Sequence, residues 1–140
     1  DGPPPEVNLF NEKNNGLSVQ YLISKKLVNS VHDVSSGGIL VTLSEMCISG
    51  KIGAKIKVPN STINKYEYLF GEDQSRYLIE ISHKNKDEVC KFLEKNSIYY
   101  EIIGKTQKDS LDLNEEFNVK LNELIEFNSY WFNNYNKENY

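Results

Sequence analysis

The chain has 140 residues, of which 39% are hydrophobic, 11% aromatic and 26% charged, a length and composition that suit about one domain with a modest core. Its formal net charge is -4, with seven acidic residues against two lysines from Asp109 onward, so the basic face that nucleic-acid binding requires is missing. No apolar run approaches the roughly 18 residues of a membrane span, and the two cysteines, Cys47 and Cys90, are too few for a disulfide scaffold or a zinc knuckle, which predicts a reduced protein of the cytoplasm.

The first ten residues include a run of prolines, which predicts a linker over residues 1–10 from upstream domains and a single domain over residues 11–140. Helical spacing of apolar residues predicts helices over residues 12–26, 39–49, 61 or 62 to 70, 85–94 and 121–135. Strands are predicted over residues 27–34, 54–58, 76–82, 98–105, 111–113 and 117–119. Because these elements alternate without strict βαβ regularity, the predicted fold class is α+β, a single mixed β-sheet covered by helices.

Two of the helices carry more detailed expectations. Asn85, with Glu88 three residues later, resembles a capping box at the start of its helix. In the helix before it, Tyr66, Leu69 and Phe70 are expected to point inward.

The segment HDVSSGGIL, which begins at residue 32, is the first candidate site, because a strand runs through a turn of small residues into a buried helix. Residues 35–38 are termed the serine–glycine turn. Gly37 and Gly38 let the backbone approach a ligand, and the first N–H groups of the helix face outward at the positive end of its dipole, which suits a phosphate or a carboxylate. The alternative is a plain N-cap, in which Ser35 or Ser36 accepts a hydrogen bond from a helix N–H.

His32 stands in the strand that precedes this turn. As neighbouring strand residues, His32 and Asp33 face opposite sides and are not expected to form a dyad. A histidine in this position is more typical of a structural hydrogen bond than of a catalytic base. The chain has no GxSxG elbow, Walker-type loop, HExxH motif or clustered Cys/His set, so neither a catalytic residue nor a metal ligand is predicted.

The segment FGEDQSRY, which begins at residue 70, is the second candidate site, and its residues 71–76 are termed the acidic turn. If the segment is extended, Glu72, Gln74 and Arg76 project to one side and form a polar site. The alternative is a solvated loop with a surface ion pair between Glu72 and Arg76. Arg76 is the only arginine in the chain, which favours planar, bidentate chemistry at this side chain.

The last predicted helix is rich in aromatic residues, namely Phe127, Tyr130, Trp131 and Tyr135. At helical spacing, such residues more often pack against a core or a neighbouring domain than stack on bases. The acidic surroundings also disfavour a nucleic acid. We therefore expect these side chains to be covered by protein.

Taken together, the two segments resemble a known enzyme family. Residues 32–46 resemble the HDVSDGG…ALAEM stretch, and residues 70–77 the FGE(S/D)Q(G/S)RY stretch, of phosphoribosylformylglycinamidine synthase, the formylglycinamide ribonucleotide amidotransferase of purine biosynthesis. The order and spacing of the motifs match, and the similarity extends from the proline run to Trp131. Ser36 departs from the pattern, because the family usually has Asp there.

The resemblance implies an aminoimidazole ribonucleotide synthetase C-terminal-domain-like fold, in the last such half of the enzyme and inactive by itself. It implies a ligase that uses ATP and Mg2+ to phosphorylate the formamide oxygen of a small-molecule substrate, after which glutamine-derived ammonia displaces the phosphate. The catalytic histidine and magnesium ligands of the family lie in upstream ATP-binding domains of the same polypeptide, and a separate glutaminase subunit is the expected partner. Candidates for substrate or nucleotide binding in this chain are then His32, Ser35, Ser36, Gly37, Gly38, Glu72, Gln74 and Arg76.

Two alternatives remain open on the sequence. The first is the C-terminal half of another ATP-dependent enzyme of the AIR-synthase superfamily, such as thiamine-monophosphate kinase, in which a different motif is expected at residues 70–77. The second is a non-catalytic interaction module. An initiator Met directly before Asp1 in the gene would favour this second alternative, whereas a long upstream coding sequence would exclude it.

Overall fold

The computed structural model describes residues 6–59, 64–114 and 116–138. In chain order the elements are α1 (Leu9–Ser24), β1 (Ser30–Asp33), α2 (Gly38–Gly50), β2 (Gly53–Ile56), α3 (Lys65–Phe70), β3 (Tyr77–Glu80), a 3₁₀ helix (His83–Asn85), α4 (Lys86–Lys95), β4 (Gly104–Gln107), β5 (Ser110–Leu113), β6 (Phe117–Lys120) and α5 (Leu121–Glu138). They belong to two compact units. The first unit holds the described residues of Asp1–Thr42 and Ile63–Ile102, and the second holds those of Leu43–Thr62 and Ile103–Tyr140.

The first unit is built on a two-stranded sheet. β1 and β3 pair antiparallel, with His32 opposite Leu78. The core of this unit is made by buried side chains of α1, of the segment after it and of α4, namely Leu22, Leu27, Val89 and Leu93. Ile79 of β3 packs against the same cluster, so burial of apolar surface ties both helices to the sheet.

The second unit is built on a four-stranded sheet with the order β4-β2-β5-β6. β2 and β5 are parallel, whereas the two outer pairings are antiparallel. Alternate residues of the two central strands are buried, namely Ala54, Ile56, Leu111 and Leu113. On the intervening positions, Lys55 Nζ lies 3.1 Å from Asp112 Oδ2, so charges of opposite sign face each other between the parallel strands.

The predicted α+β class and the mixed strand pairing are confirmed. The described strands nevertheless form two sheets rather than the single sheet predicted. Strand partners are remote in the sequence, since β1 pairs with β3 and β2 pairs with β5. Hydrophobic periodicity identifies a strand but does not identify its partner, which is why the number of sheets was not predictable from the pattern.

Two element boundaries differ from the prediction for local reasons. The strand predicted over residues 98–105 begins only at Gly104. Its predicted first residue, Ile98, belongs to the end of α4 instead, because its N–H donates to Leu93 O at 2.9 Å. At the other end of the chain, Leu9 and Phe10 already belong to α1, whereas residues 1–5 of the expected linker lie outside the described residues.

The expected inward face of α3 is reduced to one residue. Leu69 is 3% exposed, whereas Tyr66 and Phe70 are 60% and 50% exposed, so the expectation for these two aromatic residues is wrong. A six-residue helix makes fewer than two turns, and one face of it buries a single side chain. The predicted start at residue 61 or 62 lies outside the described residues.

Asn85 does not cap α4 as the capping-box pattern predicted. Its side chain makes no capping hydrogen bond, and its backbone is helical, with φ -93° and ψ -8°. The 3₁₀ helix runs directly into α4, so Asn85 never takes the extended conformation of an N-cap residue. Its Nδ2 instead donates to Leu27 O at 3.1 Å, which ties the start of α4 to the segment after α1.

The two roles of Asn85 make opposite predictions for a serine variant. We expect Asn85→Ser to lower the free energy of unfolding by about 1 kcal/mol, because a serine side chain is too short to donate to Leu27 O. Urea unfolding of the variant and of Asn85→Ala measures this. Equal losses in both variants support the bond to Leu27, whereas a serine variant as stable as the parent chain would indicate an N-cap after all.

The aromatic residues at the end of α5 do not pack into a core. Phe127, Tyr130, Trp131 and Tyr135 are all more than half exposed, and Trp131 stacks on Tyr135 with 5.8 Å between ring centroids. Cover by a neighbouring domain stays a prediction. Among the described residues, no helix is long and apolar enough to cross a membrane.

Candidate functional site

The structure brings the two predicted segments together in the first unit. The backbone N–H of Gly37, in the serine–glycine turn, donates to Oε1 of Glu72, in the acidic turn, at 2.8 Å. A carboxylate at the N-terminus of a helix is stabilised by the helix dipole, typically by about 0.3–1 kcal/mol. Glu72 therefore takes the position that the sequence assigned to a phosphate or to another carboxylate.

Gly38 allows the start of α2 to press against the end of α3. Its φ is +69°, and a Cβ at this position would lie 2.5 Å from Leu69 O and 2.7 Å from the Cα of Phe70. Any side chain would therefore collide with backbone that cannot move aside. Gly38 is thus required for packing between the two segments, in addition to any approach of a ligand.

The serine N-cap that stood as the alternative is not formed. The turn is closed by its backbone, with the N–H of Gly38 donating to Ser35 O at 3.0 Å. The side chains of Ser35 and Ser36 are exposed and have no hydrogen-bond partner among the described residues. Glu72, rather than a serine, accepts the hydrogen bond at the start of α2, because a hydrogen bond to an ionised carboxylate is stronger than one to a hydroxyl. Both hydroxyls are therefore available at the surface.

Arg76 holds the end of α3. Its Nη2 donates to Tyr68 O at 2.9 Å and its Nη1 to Gly71 O at 3.1 Å, and its Nη1 lies 3.4 Å from Asp73 Oδ2. The last carbonyl groups of a helix lack partners within the helix. The guanidinium fork supplies hydrogen-bond donors to two carbonyl groups at this end. Only 22% of the Arg76 side chain is exposed.

The acidic turn is not extended, so its polar residues do not line one face. The chain reverses at Ser75, whose φ is +67°. Arg76 points back at α3, Glu72 points at Gly37, and the carboxylate beside Arg76 belongs to Asp73 rather than to Glu72. The shared polar face and the surface Glu72–Arg76 pair are therefore both wrong. Gln74 is exposed, and among the described residues its side chain has no hydrogen-bond partner.

His32 interacts with the backbone at the end of its own strand. Its Nδ1 lies 2.7 Å from Asp33 O, and because a carbonyl oxygen only accepts, Nδ1 carries the proton. The same nitrogen lies 3.6 Å from Asp33 Oδ1, so the expectation that these neighbours point apart is wrong. Asp33 is the last residue of β1, so no following strand residue holds its side chain to the alternation.

Sequence reasoning missed a cluster that lies beside Arg76. Tyr68 and Tyr99 donate to the two oxygens of Glu101, at 3.1 Å and 2.6 Å, and the Arg76 guanidinium lies 5.4 Å from the centre of the Tyr68 ring. Burial and then the hydrogen bond to Glu101 raise the pKa of Tyr68, so this phenol stays protonated as a donor. Tyr68 and Glu101 are 33 residues apart, and no local pattern links them.

The described residues do not fit a Mg2+ site. No group of three or more His, Cys, Asp or Glu within residues 6–59, 64–114 and 116–138 is arranged to hold a metal ion. Each carboxylate of the acidic turn has a partner, since Glu72 accepts from Gly37 and Asp73 lies beside Arg76. Together the serine–glycine turn and the acidic turn, termed the joined turns, present two hydroxyls and one carboxamide without a hydrogen-bond partner among the described residues, beside the exposed carboxylates of Glu72 and Asp73. The three neutral groups suit binding rather than proton transfer.

The sequence matches one family model. Residues 1–113 match the family described as "AIR synthase related protein, C-terminal domain". The chain is 49% identical over 135 residues to "Phosphoribosylformylglycinamidine synthase subunit PurL" of Pelagibacter ubique, which covers 96% of this chain and 18% of that protein. It is 38% identical over 135 residues to the protein of the same name from Sinorhizobium fredii, with the same coverage of 96% and 18%. The chain thus spans about a fifth of these relatives.

Solved structures of the same kind share the fold. "T. maritima PurL complexed with ATP" superimposes with a TM-score of 0.75 at 20% identity, over 89% of this chain and 23% of that chain. "T. maritima PurL complexed with FGAR" gives 0.73 at 19% identity, over 85% and 21%, and "Structure of PurLQS from Thermotoga maritima" gives 0.74 at 18% identity, over 86% and 22%. At these identities the likeness establishes the fold.

Proposed function

Because this chain belongs to the family of AIR synthase related protein C-terminal domains, we propose that it is the C-terminal domain of a phosphoribosylformylglycinamidine synthase. That enzyme is the ligase that converts formylglycinamide ribonucleotide to the amidine with ATP and glutamine-derived ammonia. The observation that carries the proposal is the 49% identity to one such synthase subunit over 96% of the chain. The other superfamily enzymes are less well supported, because the matched relatives carry the synthase name.

In this proposal the chain contributes to ligand binding, and the reacting groups belong to the rest of the polypeptide. During the reaction the formamide oxygen of the substrate is phosphorylated at the expense of ATP, and ammonia displaces the phosphate in a site that excludes water. The chain spans 18% of the relative's length, and Mg2+ would be held by residues of the upstream domains. We assign no catalytic residue to the described chain.

The joined turns are the surface that we assign to a ligand of the parent enzyme. Ser35, Ser36 and Gln74 are exposed, and their neutral groups suit hydrogen bonds to the sugar, phosphate or base of a nucleotide or of the ribonucleotide substrate. Glu72 and Arg76 support this surface indirectly, because their side chains hold the two turns in place. Ser36 presents a hydroxyl where the family usually presents a carboxylate, so the serine–glycine turn is less negative here than in its relatives.

The parent enzyme is expected to work with other proteins in the cytoplasm. We propose the upstream ATP-binding domains of the same polypeptide as the first partner. A separate glutaminase subunit that delivers ammonia is the second. Neither a nucleic acid nor a membrane is a partner in this proposal.

Gln74 provides the test of the assigned surface. In the full-length subunit that contains this chain, we expect Gln74→Ala to weaken magnesium-ADP binding about fivefold, which corresponds to the loss of one neutral hydrogen bond of about 1 kcal/mol. Isothermal titration calorimetry measures the change. Gln20→Ala is the matched control, since Gln20 is an exposed glutamine of α1. Equal affinities in the two variants would contradict the assignment.

A further inference from the structure

Ser75 holds a backbone conformation that serine seldom adopts by itself. Its φ of +67° lies in the left-handed region, which costs a non-glycine residue about 1 kcal/mol or more. The residue sits where the acidic turn passes into β3, and the next residue, Arg76, already accepts a backbone hydrogen bond from Val34 at 2.8 Å. The strained residue is therefore the hinge that sets the direction of Gln74 relative to the fixed sheet.

Asn15, on α1, holds this hinge from outside the turn. Its Nδ2 donates to Ser75 O and to Ser75 Oγ, both at 2.9 Å. Because a carbonyl oxygen only accepts, the amide orientation of Asn15 is fixed by the first of these bonds. The Asn15 amide nitrogen thus donates to two atoms of Ser75, which lies 60 positions away in the sequence.

We propose that Asn15 is a positioning residue that keeps the acidic turn in its ligand-facing conformation. The turn has two further side-chain anchors, Glu72 on Gly37 and Arg76 on the end of α3, and these stand on either side of Gln74 and Ser75. Among the described residues, Asn15 alone provides a side-chain hydrogen bond to Ser75, so its removal leaves the left-handed conformation without that support. Gln74, which has no hydrogen bond of its own among the described residues, then loses its direction. The ligand in this inference rests on the proposed function, whereas the geometry does not.

Glycine at position 75 separates positioning from general stability. Glycine adopts positive φ at little cost, so a chain with Ser75→Gly needs Asn15 less. We therefore expect Asn15→Ala to disturb the turn, and Ser75→Gly to restore it in the same chain, which makes the two substitutions non-additive. Asn15→Asp is a second variant of the same shape, in which an oxygen replaces the donor and faces Ser75 O.

The first measurement reads the geometry without a ligand. In ¹⁵N-labelled chain, Asn15→Ala and Asn15→Asp are expected to shift the amide resonances of Gln74 and Gly37, and Ser75→Gly is expected to return them toward their original positions. Asn14→Ala is the matched control, because Asn14 lies on the same helix and its side chain has no hydrogen bond among the described residues. Unchanged Gln74 and Gly37 resonances in both Asn15 variants, or no restoration by glycine, would overturn the proposal.

The second measurement reads the consequence in the full-length subunit. Asn15→Ala is expected to weaken magnesium-ADP binding by up to about fivefold, which is about 1 kcal/mol and no more than the loss in Gln74→Ala, and the double variant with Ser75→Gly is expected to recover most of it. Normal binding by Asn15→Ala alongside shifted resonances would overturn the positioning role. If the parent subunit itself binds no magnesium-ADP, the nucleotide assignment fails, and the resonances alone decide the role of Asn15.

Discussion

Arg76→Ala is expected to lower the free energy of unfolding of this chain by about 2–3 kcal/mol. The substitution removes two charge-assisted hydrogen bonds, to Tyr68 O and Gly71 O, and leaves those carbonyl groups at the end of α3 without a partner. It also removes the cation–π contact with the Tyr68 ring. Urea unfolding followed by circular dichroism measures the loss. Arg76→Lys is expected to recover less than half of it, since an ammonium group lacks the planar fork.

Asp73→Ala is the control for the role of Arg76. It removes the carboxylate that lies 3.4 Å from the guanidinium but leaves the bonds to the backbone, and the Asp73 side chain is 58% exposed. An exposed ion pair of this kind contributes less than about 1 kcal/mol. Equal, small losses in Arg76→Ala and Asp73→Ala would show that the arginine makes only a surface pair.

Gly38→Ala is expected to destabilise the first unit by more than about 3 kcal/mol, because strain and overlap add. Alanine at φ +69° is strained, and its Cβ would lie within 2.7 Å of the Leu69 and Phe70 backbone. The start of α2 and the end of α3 would then have to separate, and the hydrogen bond between Gly37 and Glu72 would be lost with them. Urea unfolding and the amide resonance of Gly37 report the two effects.

Gly50→Ala is the matched control in the same helix. Gly50 is the last residue of α2, and the nearest atom to a Cβ there belongs to the Ile52 side chain at 3.3 Å. We expect the variant to be as stable as the parent chain or slightly more stable, since alanine favours helix by up to about 1 kcal/mol. A Gly38→Ala variant that unfolds at the same urea concentration as Gly50→Ala would contradict the close approach of the two segments.

Features that depend on neighbouring residues were predictable from the sequence. The helices and most strands follow from periodicity, and the two candidate turns stand at the expected positions. Burial of Leu22 and Leu93 follows from helical spacing in the same way. These predictions succeed because one element, taken by itself, carries the whole signal.

Features that depend on remote contacts were not predictable. A serine N-cap was the local alternative for the start of α2. Glu72 accepts the hydrogen bond there instead, because its carboxylate is charged, and no sequence pattern links it to Gly37, which is 35 residues away. Asn15 carries no pattern that links it to Ser75. Arg76 was singled out by its rarity, but its partners are carbonyl oxygens, which every residue has and which become available only where a helix ends.

The central claim, that this chain is the C-terminal domain of the synthase, is tested most directly by a domain exchange. The chain replaces the aligned 135-residue region of the Pelagibacter ubique subunit, and amidine formation from formylglycinamide ribonucleotide, ATP and ammonium is measured without a glutaminase. We expect the exchanged enzyme to form the amidine within about tenfold of the parental rate, a difference of about 1.4 kcal/mol in barrier. A folded exchanged enzyme that is no faster than the subunit lacking this domain would contradict the claim.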